Sequence, residues 1–215
     1  MGVAFFDMDK TLLDASSGIL FVKYLWKNRA VSLAEMADVF VLSAQYTLNR
    51  MDFPKVMARL SSKIKGGRAD ELVALCDRWF EDELKKHIAP RAVERVREHE
   101  RAGEGVVLLS ASTQYAVRPV AEHLGIEYRC TELATENGSL TGGVIGEPCY
   151  GEGKLIWGRR LAEQRGLTLA DCAFYSDSAS DLPLMEAVGR PIAVNPDGKL
   201  RARAKKGGWP IEIFY

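Results

Sequence analysis

Short hydrophobic runs and helical patterns alternate along most of the chain. Four runs rich in β-branched and aromatic residues each end in small, polar or acidic residues, at Val3–Phe6, Gly105–Leu109, Cys172–Tyr175 and Pro191–Val194. Apolar residues at helical spacing predict helices at Ala92–Arg101, Tyr115–Leu124, Leu155–Gln164 and Asp181–Val188. Strands that alternate with helices are typical of an α/β fold with a doubly wound parallel sheet, and we predict that architecture.

The stretch from residue 15 to residue 90 interrupts this alternation. It is rich in helix-forming residues with helical apolar periodicity, and a loop signal falls at Gly66–Gly67. We predict an all-helical cap domain over residues 15–90, inserted into an α/β core domain made of residues 1–14 and 91–215. A smaller irregularity is Asn137-Gly138 between two extended segments, which predicts a β-hairpin turn.

Composition and charge argue against several classes of protein. Lys and Arg total 29, equal to Asp and Glu together, so no basic excess points to a nucleic acid or an anionic membrane as a partner. The four cysteines lack a C-x-x-C pair, which predicts buried free thiols rather than a zinc site or a disulfide framework. The chain shows no signal-peptide pattern and no bilayer-spanning apolar stretch, so we expect a cytoplasmic protein. The three histidines share no ligand spacing, and we expect them at the surface or at helix ends.

Four polar clusters lie where predicted strands end or a predicted helix begins. They are D-x-D-x-T at Asp7–Thr11, Ser-Ala-Ser at Ser110–Ser112, Lys154 in GEGKL, and Asp177 with Asp181 in YSDSASD. Ligands of parallel α/β sheets bind beyond the carboxyl ends of the strands, where these clusters lie. Asp7 and Asp9 point the same way as the first strand ends, and their repulsion requires a proton or a cation beside them. Taken singly, each cluster is also explained by a helix cap or a solvated side chain.

In this order and spacing, the clusters resemble the haloacid dehalogenase superfamily, whose hydrolases form a phosphoaspartate. The resemblance spans Asp7 to Asp181, and the helical insertion with the SAS and YSDSASD forms looks most like the branch that contains phosphoserine phosphatase. It implies that Asp7 is the nucleophile and that Asp9 is first the general acid and then the general base. Lys154 would balance the charge between Asp7 and the phosphate. Dehalogenases of the superfamily lack the second aspartate, so Asp9 favours phosphoryl chemistry.

The resemblance and the chemistry of phosphate together imply a magnesium site. A phosphate dianion repels a carboxylate nucleophile, and Mg²⁺ prefers a few hard oxygen ligands while it keeps several waters. Asp7, the main-chain carbonyl of Asp9 and Asp177 are the expected ligands. Asp181 is expected behind them, where it orients bound water or the catalytic lysine, and Ser178 is expected to support the loop of Asp177.

The remaining expected contacts are with the phosphate and the rest of the substrate. By resemblance, Ser110 and the main-chain N–H of Ala111 hold the phosphoryl oxygens, and Thr11 supports the loop that carries the aspartates. Phe53 and Arg59 are the expected substrate contacts from the cap.

These assignments predict a Mg²⁺-dependent phosphomonoester hydrolase that acts on a small phosphorylated metabolite, with no nucleic-acid or membrane partner. Phosphoserine phosphatases carry a glutamate shortly after the first motif, where this chain has serines within Asp14–Gly18. The loss of that charge partner argues against phosphoserine, and an amino alcohol phosphate such as histidinol phosphate is one candidate. Two alternatives stay open: a phosphotransferase that uses the same intermediate, and a protein that binds a phosphorylated ligand without turnover. The sequence predicts neither an oligomeric state nor cap closure.

Overall fold

The computed structural model describes residues 2–30 and 53–215, and within these ranges seven strands form a single sheet. In chain order, β1 to β7 are Val3–Phe6, Gly105–Thr113, Glu127–Glu136, Ser139–Ile145, Cys172–Ser176, Arg190–Val194 and Ile211–Glu212. Their order across the sheet is β4-β3-β2-β1-β5-β6-β7, and every neighbouring pair is parallel except β3 and β4. The chain starts at β1 in the middle and extends the sheet first to one side and then to the other. This confirms the predicted doubly wound α/β fold.

Helices cover both faces of this sheet. In chain order, α1 to α8 are Ser17–Lys27, Phe53–Lys63, Ala69–Asp82, Pro90–Arg101, Gln114–Leu124, Glu152–Glu163, Leu182–Ala187 and Gly198–Gly207. Ala4 and Phe6 of β1 belong to a buried cluster with residues of α3, α4 and α5, whereas Val3 and Phe5 pack with residues of α6, α7 and α8. Because a strand turns alternate residues to opposite faces, a strand buried on both faces is apolar throughout.

Helices are present between β1 and β2, where the sequence predicts the cap. The described part of this insertion contains α1, α2 and α3, whereas residues 31–52 of the predicted cap lie outside the described residues. Leu20 of α1 and Trp79 and Phe80 of α3 are buried in the same cluster as Phe6, and the rings of Phe21 and Trp79 have centroids 4.9 Å apart. The helical character of the described insertion agrees with the prediction, and the domain boundaries at residues 15 and 90 stay a prediction.

The predicted hairpin turn joins β3 to β4. Asn137 and Gly138 have φ angles of 49° and 79°, the left-handed backbone that a tight two-residue hairpin needs and that this residue pair tolerates. Leu140 of the hairpin donates to the carbonyl of Gly67 and accepts from the N–H of Gly66, each at 2.8 Å. The hairpin is therefore tied by its main chain to the insertion.

The second strand is longer than predicted. β2 continues to Thr113 rather than ending at Leu109, and its pairing with β3 shifts register between Ser110 and Thr113. The serines of the second motif thus lie in the irregular end of a strand, not after it. Pairing with β3 gives the main chain of this segment hydrogen-bond partners. The polar side chains of the segment did not indicate that pairing.

His99 lies in the last turn of α4, as expected for a residue at a helix end, but it is buried. His99 is 9% exposed, its Nε2 lies 2.9 Å from the hydroxyl of Tyr175, and its Nδ1 is hydrogen-bonded to Glu104. Polar partners on both ring nitrogens make burial of an imidazole tolerable. These partners lie on β5 and before β2, so the helical pattern around His99 could not reveal them.

The cysteines are buried and unpaired, as predicted. Burial raises the pKa of Cys76 to about 12, so this thiol stays protonated at neutral pH. Within the described ranges, no helix combines the length and the apolar character that crossing a bilayer would require.

Candidate active site

Asp7 lies where β1 ends, beside the ends of its two neighbouring strands. β1 is in register with both of them, so that Phe6 is opposite Leu108 of β2 and Tyr175 of β5. The main-chain N–H of Asp7 donates to the carbonyl of Tyr175 at 2.9 Å, which extends the pairing past the strand. The register therefore brings Asp7 to the end of the sheet where the carboxyl ends of the parallel strands meet. The Ser110–Ser112 cluster and the cluster of Asp177 and Asp181 lie at the same end.

The buried ammonium of Lys154 bridges two carboxylates. Its Nζ lies 2.6 Å from Oδ1 of Asp7 and 2.7 Å from Oδ2 of Asp181, and the residue is 2% exposed. Gly153, in the first turn of α6, allows the main chain of Pro148 to lie close against this helix, because a Cβ there would lie 1.9 Å from the carbonyl oxygen of Pro148. Burial opposes the charged form, but Asp181 and Asp7 outweigh it and hold the pKa of Lys154 well above its usual value.

Asp181 directly precedes α7, but its carboxylate turns toward Lys154 and makes no capping bond. Its Oδ2 also accepts from the hydroxyl of Ser176 at 2.6 Å, a contact that the sequence analysis missed. Its Oδ1 is buried and has no hydrogen-bond partner among the described residues. The simple alternative of a helix cap therefore does not explain this aspartate.

The loop of Asp177 is held by Asp197, a second residue that the sequence analysis missed. The N–H of Asp197 donates to the main-chain carbonyl of Asp177 at 2.8 Å, and its Oδ2 accepts from the N–H of Ala179 at 2.8 Å. Its Oδ1 accepts from the N–H of Leu200 and so caps the N-terminus of α8. The sequence NPDG directly before this helix was the available signal for the cap. Ser178 accepts from the N–H of Ser180 at 3.2 Å within the same turn.

Asp9 contacts the first turn of α1. Its Oδ1 accepts from the main-chain N–H of Ser17 at 3.0 Å, and the hydroxyl of Ser17 also faces this carboxylate. Burial raises the pKa of Asp9, and both groups of Ser17 oppose that rise. Ser17 was not predicted as a site residue; its available signal is its position at the start of the helix that follows the D-x-D motif.

The predicted phosphate-binding residues lie at the same edge of the sheet. Ser110 is 2% exposed, and its Oγ accepts from the N–H of Ser112 at 3.1 Å, which leaves its hydroxyl hydrogen for another acceptor. Ala111 follows in the irregular end of β2. Thr11 is fully buried, and its Oγ1 has no hydrogen-bond partner within the described ranges.

The two predicted cap contacts lie on α2. Phe53 is the first residue of this helix, and its side chain lies outside what the structure describes. Arg59 is exposed on the same helix. Both assignments stay predictions.

Three buried carboxylates face one buried ammonium in this site. Asp7, Asp177 and Asp181 are 7%, 7% and 1% exposed. Burial raises the pKa of Asp7 to about 7, with repulsion from Asp181 and Asp9 adding to the rise and Lys154 opposing it. Burial and repulsion from Asp7 and Asp181 raise the pKa of Asp177 well above its usual value. When ionised, the three carboxylates carry more negative charge than the single ammonium of Lys154 neutralises.

This excess of negative charge fits a divalent cation. Carboxylate and carbonyl oxygens are hard ligands of the kind that suit Mg²⁺, which also keeps several waters. Among the described residues, no three His, Cys, Asp or Glu side chains form a metal-binding group. The predicted magnesium ligands differ from such a group, since they include only two side chains, those of Asp7 and Asp177. The main-chain carbonyl of Asp9 is the third predicted ligand.

Comparison with known proteins identifies the family. Residues 4–186 match the haloacid dehalogenase-like hydrolases, and the chain belongs to this family. A histidinol-phosphatase of Neisseria meningitidis serogroup C is 32% identical over 218 residues, which cover 99% of this chain and 98% of that protein. A phosphoserine phosphatase of Mycobacterium tuberculosis is 32% identical over 216 residues, which cover 98% of this chain and 70% of that protein. A crystal structure of a Bordetella pertussis protein of unknown function superposes with a TM-score of 0.88, at 30% identity, over 99% of this chain and 98% of that one.

These comparisons confirm the predicted superfamily, its phosphoserine phosphatase-like branch and the class of enzyme, a phosphatase. The phosphatase relatives imply a small phosphorylated molecule as the substrate. Phosphatases of this family generally use Mg²⁺. The roles of individual residues are not tested by these similarities and stay predictions.

Proposed function

We propose that this phosphatase is a Mg²⁺-dependent phosphomonoester hydrolase that acts on a small metabolite through a phospho-Asp7 intermediate. The observation that carries the proposal is the Lys154 ammonium, buried between Asp7 and Asp181 at 2.6 and 2.7 Å. Such a buried triad gives little net stability, because desolvation of three charges offsets their attraction. In a phosphate site this lysine has a role, since its charge opposes the rise in the pKa of Asp7 and attracts the phosphate dianion.

Asp7 and Asp9 divide the bond-making and proton-transfer steps. A carboxylate oxygen of Asp7 attacks phosphorus while the bond from phosphorus to the leaving oxygen breaks, and Asp9 gives that oxygen a proton. Asp9 then takes a proton from water as the water oxygen attacks phosphorus, and the bond from phosphorus to Asp7 breaks to release phosphate. Lys154 orients Asp7 in both steps. Ser110 donates its hydroxyl hydrogen to a phosphoryl oxygen beside the N–H of Ala111.

Asp7, the main-chain carbonyl of Asp9 and Asp177 are the residues that would hold Mg²⁺. The bound ion supplies positive charge that offsets the repulsion between the phosphate and the carboxylates. Asp197 fixes the main chain of Asp177, and Ser178 closes the turn that follows it.

We infer that the substrate is the phosphate ester of an amino alcohol, with histidinol phosphate as the first candidate. Ser16 and Ser17 stand where phosphoserine phosphatases carry a glutamate, so the site departs from theirs at the contact with the substrate's ammonium group. An amino alcohol phosphate also carries an ammonium group, so the choice of this class rests on the histidinol-phosphatase relative. The nearby Asp14 is paired with His87 at 2.6 Å. The relative named histidinol-phosphatase matches over nearly its whole length, which supports this choice.

Phosphate release from a panel of esters tests the function. We expect histidinol phosphate to be hydrolysed with a kcat/KM at least about tenfold above that for phosphoserine, a difference of about 1.4 kcal/mol, because the relative named histidinol-phosphatase matches this chain over nearly its whole length. Sugar phosphates and nucleotides complete the panel. Each ester is assayed with Mg²⁺ and with excess chelator, and chelator is expected to abolish turnover.

Two outcomes would redirect this proposal. Transfer of the phosphoryl group to an added alcohol in preference to water would identify a phosphotransferase. Binding of a phosphorylated compound without release of phosphate or alcohol would identify a non-catalytic binding protein. Full activity in chelator would contradict the magnesium requirement.

The affinity for Mg²⁺ is expected to fall as the pH falls below about 7. In the metal-free protein the pKa of Asp7 is about 7, raised mainly by burial, so at lower pH a proton must leave before the ion binds. Each displaced proton weakens binding by up to about tenfold per pH unit. Calorimetric titration in two buffers of different ionisation enthalpy counts these protons. Equal affinities at pH 5.5 and pH 8 would contradict the expectation.

A further inference from the structure

Two serine hydroxyls connect the region of Asp9 to the strand that carries Ser110. Oγ of Ser17 and Oγ of Ser112 lie 3.1 Å apart, which joins the first turn of α1 to the irregular end of β2. Beyond this pair, the N–H of Ser17 donates to Oδ1 of Asp9 at 3.0 Å, and the N–H of Ser112 donates to Oγ of Ser110 at 3.1 Å. An unbroken series of polar contacts therefore links Asp9 to Ser110.

We propose that Ser17 and Ser112 are positioning residues that aim the carboxyl group of Asp9 at the leaving oxygen of a phosphate held by Ser110. This inference rests on the proposed function and assigns two residues to it. Proton transfer requires the acid within hydrogen-bond reach of the leaving oxygen, and an error of about 1 Å is costly. A link between the acid and the phosphate-binding strand fixes that distance.

The first turn of α1 gives Asp9 a defined direction. The leading N–H groups of a helix lack partners within the helix and attract a carboxylate. Ser16, the residue just before α1, makes no side-chain capping bond, whereas Asp9 accepts from the N–H of Ser17. The orientation of Asp9 therefore follows the placement of α1.

The hydroxyl pair fixes that placement against β2. Ser17 is 2% exposed, so little water competes for its hydroxyl. A serine hydroxyl donates one hydrogen bond and accepts others, so Ser112 can donate to Ser17 while Ser17 donates to the carboxylate of Asp9. Removal of either hydroxyl breaks the connection but leaves the N–H contact to Asp9 intact.

The test compares two esters that differ in their need for a general acid. The alkyl phosphate hydrolysed fastest in the panel needs its leaving oxygen protonated, whereas 4-nitrophenyl phosphate releases a stabilised phenolate without a proton. For Ser17→Ala and Ser112→Ala, we expect kcat/KM to fall about tenfold on the alkyl ester and less than about twofold on the aryl ester. Both substitutions together should cost no more than Ser17→Ala alone, since Ser112 acts on Asp9 only through the hydroxyl of Ser17.

Three further variants calibrate the comparison. Asp9→Asn removes the general acid completely and is expected to lower kcat/KM on the alkyl ester by about 10²–10⁴-fold. Ser112→Thr keeps a hydroxyl and should restore the alkyl-to-aryl ratio. Ser61→Ala is the matched control, because Ser61 is also 2% exposed and its hydroxyl joins α2 to the carbonyl of Gly142 at 2.8 Å. It should leave the ratio of the two esters unchanged.

The outcomes separate this inference from the function on which it rests. A fall in the alkyl-to-aryl ratio for both alanine variants, with rescue by threonine, supports the positioning role. Equal losses on both esters would overturn it and indicate a purely structural link. If Ser17→Ala does not fold, as judged by circular dichroism, Ser112→Ala and Ser112→Thr alone decide. A wild-type protein inactive on both esters with Mg²⁺ would overturn the proposed function and this inference with it.

Discussion

Replacing Asp7 with asparagine is expected to lower kcat/KM by at least about 10⁴-fold and to abolish phosphorylation of the protein by its substrate. The amide has nearly the shape of the carboxylate, but it is a poor nucleophile and lacks the charge that attracts Mg²⁺. The fold is expected to persist, because Lys154 keeps its contact with Asp181 at 2.7 Å and the substitution removes one of the repelling carboxylates. Steady-state kinetics and mass spectrometry of acid-quenched protein measure the two effects.

The matched control is Asp14→Asn. Asp14 lies a few residues after the first motif, with a side chain that is 40% exposed and paired with His87 at 2.6 Å. This variant is expected to lose less than about 1 kcal/mol of stability, as is typical of an exposed polar pair, and to keep kcat/KM within about twofold. Substantial turnover in purified Asp7→Asn would show that Asp7 is not the nucleophile.

Replacing Lys154 with methionine is expected to damage both stability and catalysis. Methionine fills a similar volume but leaves the carboxylates of Asp7 and Asp181 buried without their cation. Breaking a buried ion pair on one side costs about 3–5 kcal/mol in free energy of unfolding. Loss of the charge that assists phosphoryl transfer is expected to lower kcat/KM by about 10²–10³-fold. Urea denaturation in chelator and kinetics in Mg²⁺ measure these losses.

A double substitution separates the two losses. Lys154→Met with Asp181→Asn removes one of the stranded charges, so it should recover part of the stability while kcat/KM stays low. Lys85→Met is the matched control, since Lys85 pairs with Glu81 at 3.2 Å on the surface and its loss should cost less than about 1 kcal/mol. If Lys154→Met were as stable as wild type, the buried triad would not have the electrostatic role assigned to it.

Local patterns were sufficient to predict four strands and four helices of the core. The run Val3–Phe6 is apolar at every position because both faces of β1 are covered by helices, and that composition is visible without the structure. Asn137-Gly138 predicted its turn because few residue pairs tolerate two left-handed conformations in succession. The end of β2 was misplaced, because pairing with β3 depends on a neighbouring strand and not on the polar residues themselves.

The residues of the candidate site also fall into two groups, those that motifs indicate and those that only the folded chain brings together. Asp7, Asp9, Lys154 and Asp181 were available from motifs whose order and spacing resemble a known superfamily. Ser17 and Asp197 were missed, since nothing in their immediate sequence distinguishes them from ordinary residues at helix starts. The contact of Ser17 with Ser112 joins residues 95 positions apart, and local patterns carry no information over that distance.

Short-range periodicity was enough to predict the elements, because it reflects local backbone preference and burial, and the motifs named the side chains for phosphoryl chemistry through their resemblance to a superfamily. The distance of 2.6 Å between the ammonium of Lys154 and Asp7, 147 positions away, and the burial of both residues came only from the assembled fold. Distances, burial and the resulting shifts in pKa depend on strand register and helix packing. These are properties of the assembled sheet, not of any one segment.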